Sequence, residues 1–192
     1  MWRELWRLIF MQAAGNDFQQ NFFVLFGLPV RYQLDNAQLD QHYHTLQAQV
    51  HPDKFSHLSE AERRVSMQWA TRVNEAYQTL SHSAGRARYL LSLHGIETQE
   101  ETNTAMPADF LMQQMEWREA IDEARQAQDN ALLVALETRL QHEVHELEAR
   151  LALEIDGEKN YPAAAVDVRK LKFLEKLTEE ISSAFDALHL TR

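Results

Sequence analysis

The segment QAQVHPDKFSH, residues 47–57, lies where one amphipathic pattern ends and a second begins. Before it, Leu39, Tyr43, Leu46 and Val50 recur at spacings of four, three and four, which is the period of one helix face. Asp35 or Asn36 can cap that helix, so the spacing predicts a helix over 36–50. Pro52 disfavours helical conformation at the residue before it, and the helix must stop at His51. After the segment, Ser59 and Glu62 form an S-x-x-E capping box. Val65, Trp69, Val73, Ala76, Tyr77 and Leu80 then mark one face through residue 81. Two long helices joined by about eight residues pack antiparallel. Any Gly- or Asn-containing turn would close such a hairpin, yet this one is spelled His51-Pro52-Asp53-Lys54.

Outward from the hairpin the chain reads as helices throughout, so the expected fold class is all-α. NFFVLFGLP, residues 21–29, is a short apolar helix or turn closed by Gly27 and Pro29. GRARYLLSLHG, residues 85–95, is a further helix whose Ala87, Leu90, Leu91 and Leu93 can cover the hairpin or bridge to the C-terminal helices. Residues 96–104 have few large apolar side chains and read as a linker. Three long helical patterns come after it. The first covers about 107–127. The second covers about 130–156, with Leu133, Leu136, Leu140, Val144, Leu147 and Leu151 inward and Gly157 as its stop. The third starts near Pro162 and turns Val168, Leu171, Leu174, Ile181, Phe185 and Leu188 inward. The domains are therefore read as an N-terminal hairpin domain over 21–95 and a three-helix bundle over 105–192.

Composition narrows the function. The chain has 192 residues, 45% apolar and 25% charged, which suits a soluble globular protein of one or two domains. Five glycines and four prolines favour long helices over a turn-rich sheet protein. With no cysteine there is no disulfide, thiolate zinc site or cysteine-held cluster. A net charge of -10 points away from nucleic acid and towards partners with basic patches. Residues 1–20 interrupt a short apolar stretch with Arg3, Glu4 and Arg7. That pattern is too short to span a bilayer and the wrong order for a signal peptide. It reads as a poorly packed extension, or as sequence upstream of a start at Met11; a helix lying on a membrane surface is the lesser alternative.

No enzyme signature emerges. His142 and His145 are three apart and lack the H-E-x-x-H pattern, so they read as surface histidines. His42 and His44 point about 200° apart on a helix and cannot share a metal. His51 and Asp53 have no nucleophile motif beside them, and no Gly-rich phosphate loop occurs. For His-Pro-Asp alone, the plain reading is a proline that stops a helix and an aspartate that satisfies loose N–H groups.

Context changes that reading. A His-Pro-Asp loop between two amphipathic helices, preceded by LFGLP and followed by NEAYQTL at 74–80, resembles the J domain of DnaK-type co-chaperones. YQLD at 32–35, HPDKF, YLLSLHG at 89–95, FLMQQMEWREAIDEA at 110–124 and RKLKFLEKL at 169–177 further resemble the HscB family of iron–sulfur cluster assembly. The resemblance covers residues 21–192 and implies a J domain and a three-helix bundle set as the arms of an L. It implies no cofactor, a cytoplasmic location, and two partners. One is the chaperone HscA, whose ATPase the loop stimulates; the other is the scaffold IscU, delivered to HscA for cluster transfer. His51, Pro52 and Asp53 carry the chaperone contact by resemblance, with Lys54, Arg63 and Arg64 supplying positive charge. The helix before the loop offers His42, His44 and glutamines where J domains often carry bases, so docking is expected to be weaker or more pH-sensitive, and ATPase stimulation to strengthen as pH falls towards 6.

The bundle carries a second candidate face. On its first helix, Phe110, Trp117, Ile121 and Ala124 form one stripe and Met112, Met115, Glu116, Glu119 and Glu123 another, bordered by Leu111. Methionines flanked by carboxylates suit a partner surface, because Met adapts its shape and the acids set orientation. Phe173 lies about 200° from Leu171, away from its helix's core stripe, among Arg169, Lys172 and Lys176. It is expected to be an exposed anchor; the alternative is that wide bundle helices bury two stripes and that Met112, Met115 and Phe173 are core. In HscB proteins the matching face holds IscU, so Leu111, Met112, Met115, Glu116, Glu119, Glu123 and Phe173 carry over as scaffold-binding positions. The other readings are a general J-domain co-chaperone with different clients, or a helical adaptor with an inert turn.

Overall fold

The computed structural model describes residues 20–50, 59–98 and 106–190, and its contacts divide the chain into two units after His82. His51, Pro52, Asp53 and Lys54, the extension before residue 20 and most of the expected linker lie outside the described residues.

The first unit contains α1 (Phe22–Leu25), α2 (Asn36–Val50) and α3 (Glu60–Ser81). Asn21 caps α1 by accepting from the Val24 N–H at 2.9 Å. Gly27, at φ +63°, ends it. That left-handed residue lets the Leu28 N–H reach the Phe23 carbonyl at 2.8 Å and the Gly27 N–H reach Val24 at 3.0 Å. This is a Schellman closure, and it explains LFGLP physically: Phe23 and Leu28 are buried on either side of the glycine. Helix α3 opens with the expected capping box, Ser59 and Glu62 each holding the other's N–H.

Phe22, Phe23, Phe26, Leu28, Tyr32, Leu39, Val50, Trp69, Val73, Ala76 and Leu80 form the core of this unit, each large side chain contributing about 1.5–3 kcal/mol by leaving water. Polar contacts align the hairpin. Tyr43 stacks on Tyr77 with centroids 4.0 Å apart, and the Tyr77 hydroxyl donates to Asp40 at 2.9 Å. That bond, with burial second, raises the phenol's pKa, so it remains a donor at neutral pH. Arg72 lies 4.9 Å over the Phe22 ring and donates to the Gln20 carbonyl, tying α1 to α3.

The second unit contains α4 (Ser83–Leu93), α5 (Ala108–Gln126), α6 (Asn130–Ala152) with a π-helical turn at Leu153–Glu158, and α7 (Tyr161–Leu190). Helix α4, read from sequence as part of the 21–95 domain, packs against α7 and falls in this unit, so the division comes after His82. Residues 96–98 are packed rather than loose: Gly95, at φ +74°, turns Ile96 back to the Leu91 carbonyl, and the Thr98 carbonyl accepts from Arg169 at 3.0 Å. The stop after α6 also differs from the sequence reading. Gly157 lies inside the π-helical turn, and the left-handed residue is Lys159, at φ +58°. The chain there closes through the Asn160 N–H on the Glu154 carbonyl at 2.8 Å.

That junction buries two acids. Asp167 is held by Lys170 at 2.7 Å and Arg150 at 3.4 Å. Glu154 is buried with one carboxyl oxygen lacking a hydrogen bond. Burial, then the Asp167 charge, raises the Glu154 pKa, with Glu158 adding a little and Arg150 and Lys170 opposing. A raised carboxyl pKa means its favourable contribution is complete at low pH and is lost as pH rises through the folded value. Glu154→Gln is therefore expected to melt at a higher temperature than the parent near pH 8. The gap should close as pH falls below about 4, where Glu154 becomes protonated in the unfolded chain as well as in the folded one; paired melting curves down to about pH 3 check it.

Candidate functional site

Helix α5 positions the candidate partner surface. Its buried side is Phe110, Trp117, Ile121 and Ala124. Trp117 is fully enclosed, with the Arg139 guanidinium 4.6 Å from its ring. Gln113 donates to Glu143 at 3.0 Å, and Glu143 also accepts from Arg139 at 3.3 Å, bracing α5 against α6. At about 100° per residue, the stripe of Met112, Met115, Glu116, Glu119 and Glu123 falls on the side opposite that buried face. Met112 is 62% and Met115 72% exposed, Leu111 borders them at 44%, and the three glutamates are exposed. Two large thioethers in water, ringed by carboxylates, form an apolar centre with a charged rim, the anatomy of a protein contact.

Phe173 is not exposed. It is 9% accessible, edge-on to Phe110 with centroids 5.6 Å apart, and covered by Arg118, whose guanidinium carbon is 5.3 Å from its ring centre. The expectation of an exposed anchor is corrected here: α7 packs against α4, α5 and α6, so it buries more than one stripe. The two-stripe alternative thus holds for Phe173 and fails for Met112 and Met115. Arg118 is the residue that sequence reasoning missed. It follows Met115 by three and Leu111 by seven, on the same edge of α5, and its Nε lies 3.9 Å from a Glu180 oxygen. A lone base among Glu116, Glu119 and Glu123 was the available signal.

In the first unit the His51–Lys54 loop lies outside the described residues, and its flanks are visible. Arg63 and Arg64 are exposed in the first turns of α3. Arg64 lies 3.9 Å from Glu60, an exposed pair of little energetic weight. His42 is not a free surface base: it is half-buried, and its Nδ1–H donates to the Phe26 carbonyl at 2.6 Å. Of the two α2 histidines, His44 is the exposed one, beside Tyr43. His142 and His145 are exposed on α6, His142 being 3.6 Å from Glu146. Among the described residues no three His, Asp or Glu side chains converge as a metal site, and no helix is long and apolar enough to cross a membrane.

Residues 106–182, from the start of α5 through most of α7, match the family model described as the HSCB C-terminal oligomerisation domain. Over 172 residues the chain is 51% identical to the co-chaperone protein HscB homolog of Aromatoleum aromaticum, covering 90% of this chain and 97% of that one. The chain belongs to the HscB co-chaperone family. The HscB homolog of Chromobacterium violaceum is 53% identical over 174 residues, 91% of this chain and 98% of its own. Among solved structures, chaperone HscB from Vibrio cholerae superposes with a TM-score of 0.80 at 39% identity, covering 88% of this chain and 99% of that one. Human co-chaperone HscB superposes with a TM-score of 0.81 at 30% identity, over 87% and 83%. The all-α J-domain-plus-bundle architecture is thus that of HscB proteins, and the exposed methionine face lies within the matched C-terminal region.

Buried Phe173 and the exposed methionines separate by stability. Phe173→Ala is expected to lower unfolding free energy by roughly 3–5 kcal/mol, the cost of emptying a buried aromatic site. Met112→Ala and Met115→Ala should stay within about 0.5 kcal/mol of the parent. Urea titration of the full chain reads both.

Proposed function

We propose that this chain works in the cytoplasm as the co-chaperone that binds the iron–sulfur scaffold IscU, brings it to the DnaK-type chaperone HscA and stimulates HscA's ATPase, promoting cluster transfer. The observation that carries the reading is the pair of exposed methionines within an acidic rim on α5, in a chain of the HscB family. The outer face of α5 is the scaffold-binding surface: Leu111, Met112 and Met115 supply adaptable apolar contact, and Glu116, Glu119 and Glu123 orient a basic partner. Phe173 supports that surface from beneath through Phe110 and Arg118.

His51, Pro52 and Asp53, with Lys54, Arg63 and Arg64, form the chaperone contact. The phosphoryl-transfer chemistry belongs to the chaperone. A partner accelerates it by binding best to the conformation nearest the transition state, which shifts the chaperone's population towards that state. Proline has a restricted φ, and aspartate and imidazole offer directional contacts; none needs to reach ATP. With no cysteine in the chain, the cluster is cargo held by the scaffold rather than by thiolates here.

Two measurements test this. By calorimetry the parent binds IscU, and Met112→Ala/Met115→Ala weakens binding about 10- to 100-fold, the range of central interface residues; a parent that does not bind IscU would favour a general J-domain co-chaperone with other clients. In single-turnover ATPase assays with HscA, His51→Gln is expected to abolish stimulation while IscU affinity stays at the parent value. Undiminished stimulation by that variant would sink the loop's role.

A further inference from the structure

Methionine ordinarily fills irregular gaps in a core. This chain uses it otherwise. Of its six methionines, Met67, Met106, Met112 and Met115 lie among the described residues, and none of the four is buried. Both cores are built from aromatic and aliphatic side chains instead. Met115 and Met112 are the two most exposed large apolar side chains among the described residues, ahead of Met67 at 59%. The chain also has no cysteine, so its thioethers are the side chains that a peroxide attacks most readily.

The spacing on α5 puts a carboxylate beside each sulfur. Glu116 follows Met112 by four and Glu119 follows Met115 by four, so each pair shares an edge of the helix. Ionised carboxylates accept hydrogen bonds and donate none, whereas a thioether accepts only weakly. The apolar centre of the face is therefore distinct from its rim. Adding one oxygen to each sulfur erases that distinction, because a sulfoxide is polar and stands there among further acceptors. Arg118, three residues after Met115, is already engaged by the Phe173 ring and Glu180. A partner group fitted to the thioether would press on the sulfoxide oxygen and leave it dehydrated without a donor.

We propose that Met112 and Met115 are a reversible oxidation site whose sulfoxide form releases the scaffold. The inference rests on the reading of the α5 face as the scaffold-binding surface. The oxidant is hydrogen peroxide. A sulfur lone pair attacks one peroxide oxygen, and the S–O bond forms as the O–O bond breaks. The proton of the transferred oxygen passes to the departing hydroxide, which leaves as water. Sulfur loses two electrons and the peroxide gains them. The return step takes a dithiol, used by methionine sulfoxide reductases: the sulfoxide oxygen leaves as water and the dithiol becomes a disulfide. Neither methionine belongs to a core, so the fold is the same in both states and the face alone changes.

The test treats the full-length chain with hydrogen peroxide, which is removed before IscU is added. Peptide mass mapping is expected to place one oxygen on each of Met112 and Met115, with the melting temperature at its untreated value. By calorimetry, IscU binding should weaken about 10- to 100-fold, the factor that one dehydrated acceptor sets. Treatment with the two epimer-specific methionine sulfoxide reductases should restore it. Met67→Leu/Met106→Leu, which keeps both α5 thioethers, should respond to peroxide as the parent does. Met112→Leu/Met115→Leu should bind with the same affinity before and after peroxide, whatever that affinity is. Undiminished binding by the doubly oxidised parent overturns the inference. So does an equal loss in peroxide-treated Met112→Leu/Met115→Leu, or a map in which Met67 carries oxygen and Met112 and Met115 do not. A collapsed melting curve on oxidation assigns the loss to unfolding and overturns it too. If the untreated parent does not bind IscU, the reading of the face itself falls and takes the inference with it.

Discussion

A helix with apolar side chains around more than half of its circumference cannot sit at the edge of a bundle. Helix α7 is such a helix. Its 30 residues run about 45 Å, and Ala164, Val168, Leu171, Phe173, Leu174, Leu177 and Ile181 are all buried. Satisfying them requires neighbours on several sides, and α4, α5 and α6 supply those neighbours. Once α5 is committed to α7 and α6 through Phe110, Trp117, Ile121 and Ala124, its opposite face has nothing left to pack against. Met112 and Met115 are exposed because the core is complete without them.

Arg118 joins that core to the exposed face. Its guanidinium lies over the Phe173 ring while its Nε approaches Glu180, so one side chain roofs an aromatic and remains half in water. The outer face of α5 is thus shaped from beneath by buried aromatics and patterned on top by methionine and glutamate. The first unit follows a related logic. Its hairpin is aligned by polar contacts along its length, and the carbonyl at its loop end is held by a buried hydroxyl. In each unit a packed interior fixes the groups at its margin.

Helix identity was highly legible. The stripe ending at Val50, the Ser59–Glu62 box and the leucine register of α6 each use local rules, and α2, α3 and α6 appear where those rules put them. The face of α5 was legible too, since carboxylates among the methionines are incompatible with a dry core. Phe173 misled because angular offset from a single core stripe says nothing about how many neighbours a helix has. His42 misled likewise: its partner, the Phe26 carbonyl, comes from a turn sixteen residues away that no helical pattern reveals.

By itself, then, the amino-acid order determined where helices start, which faces are apolar and which residue types gather on α5, because periodicity, capping and proline sterics act over a few residues. Tertiary structure alone decided that α4 joins the bundle, that Phe173 is roofed by Arg118, and that Ser66 reaches Val50 rather than its own helix. Each of those outcomes depends on which surfaces meet in space, and contact between segments distant in the chain leaves no periodic trace in either segment.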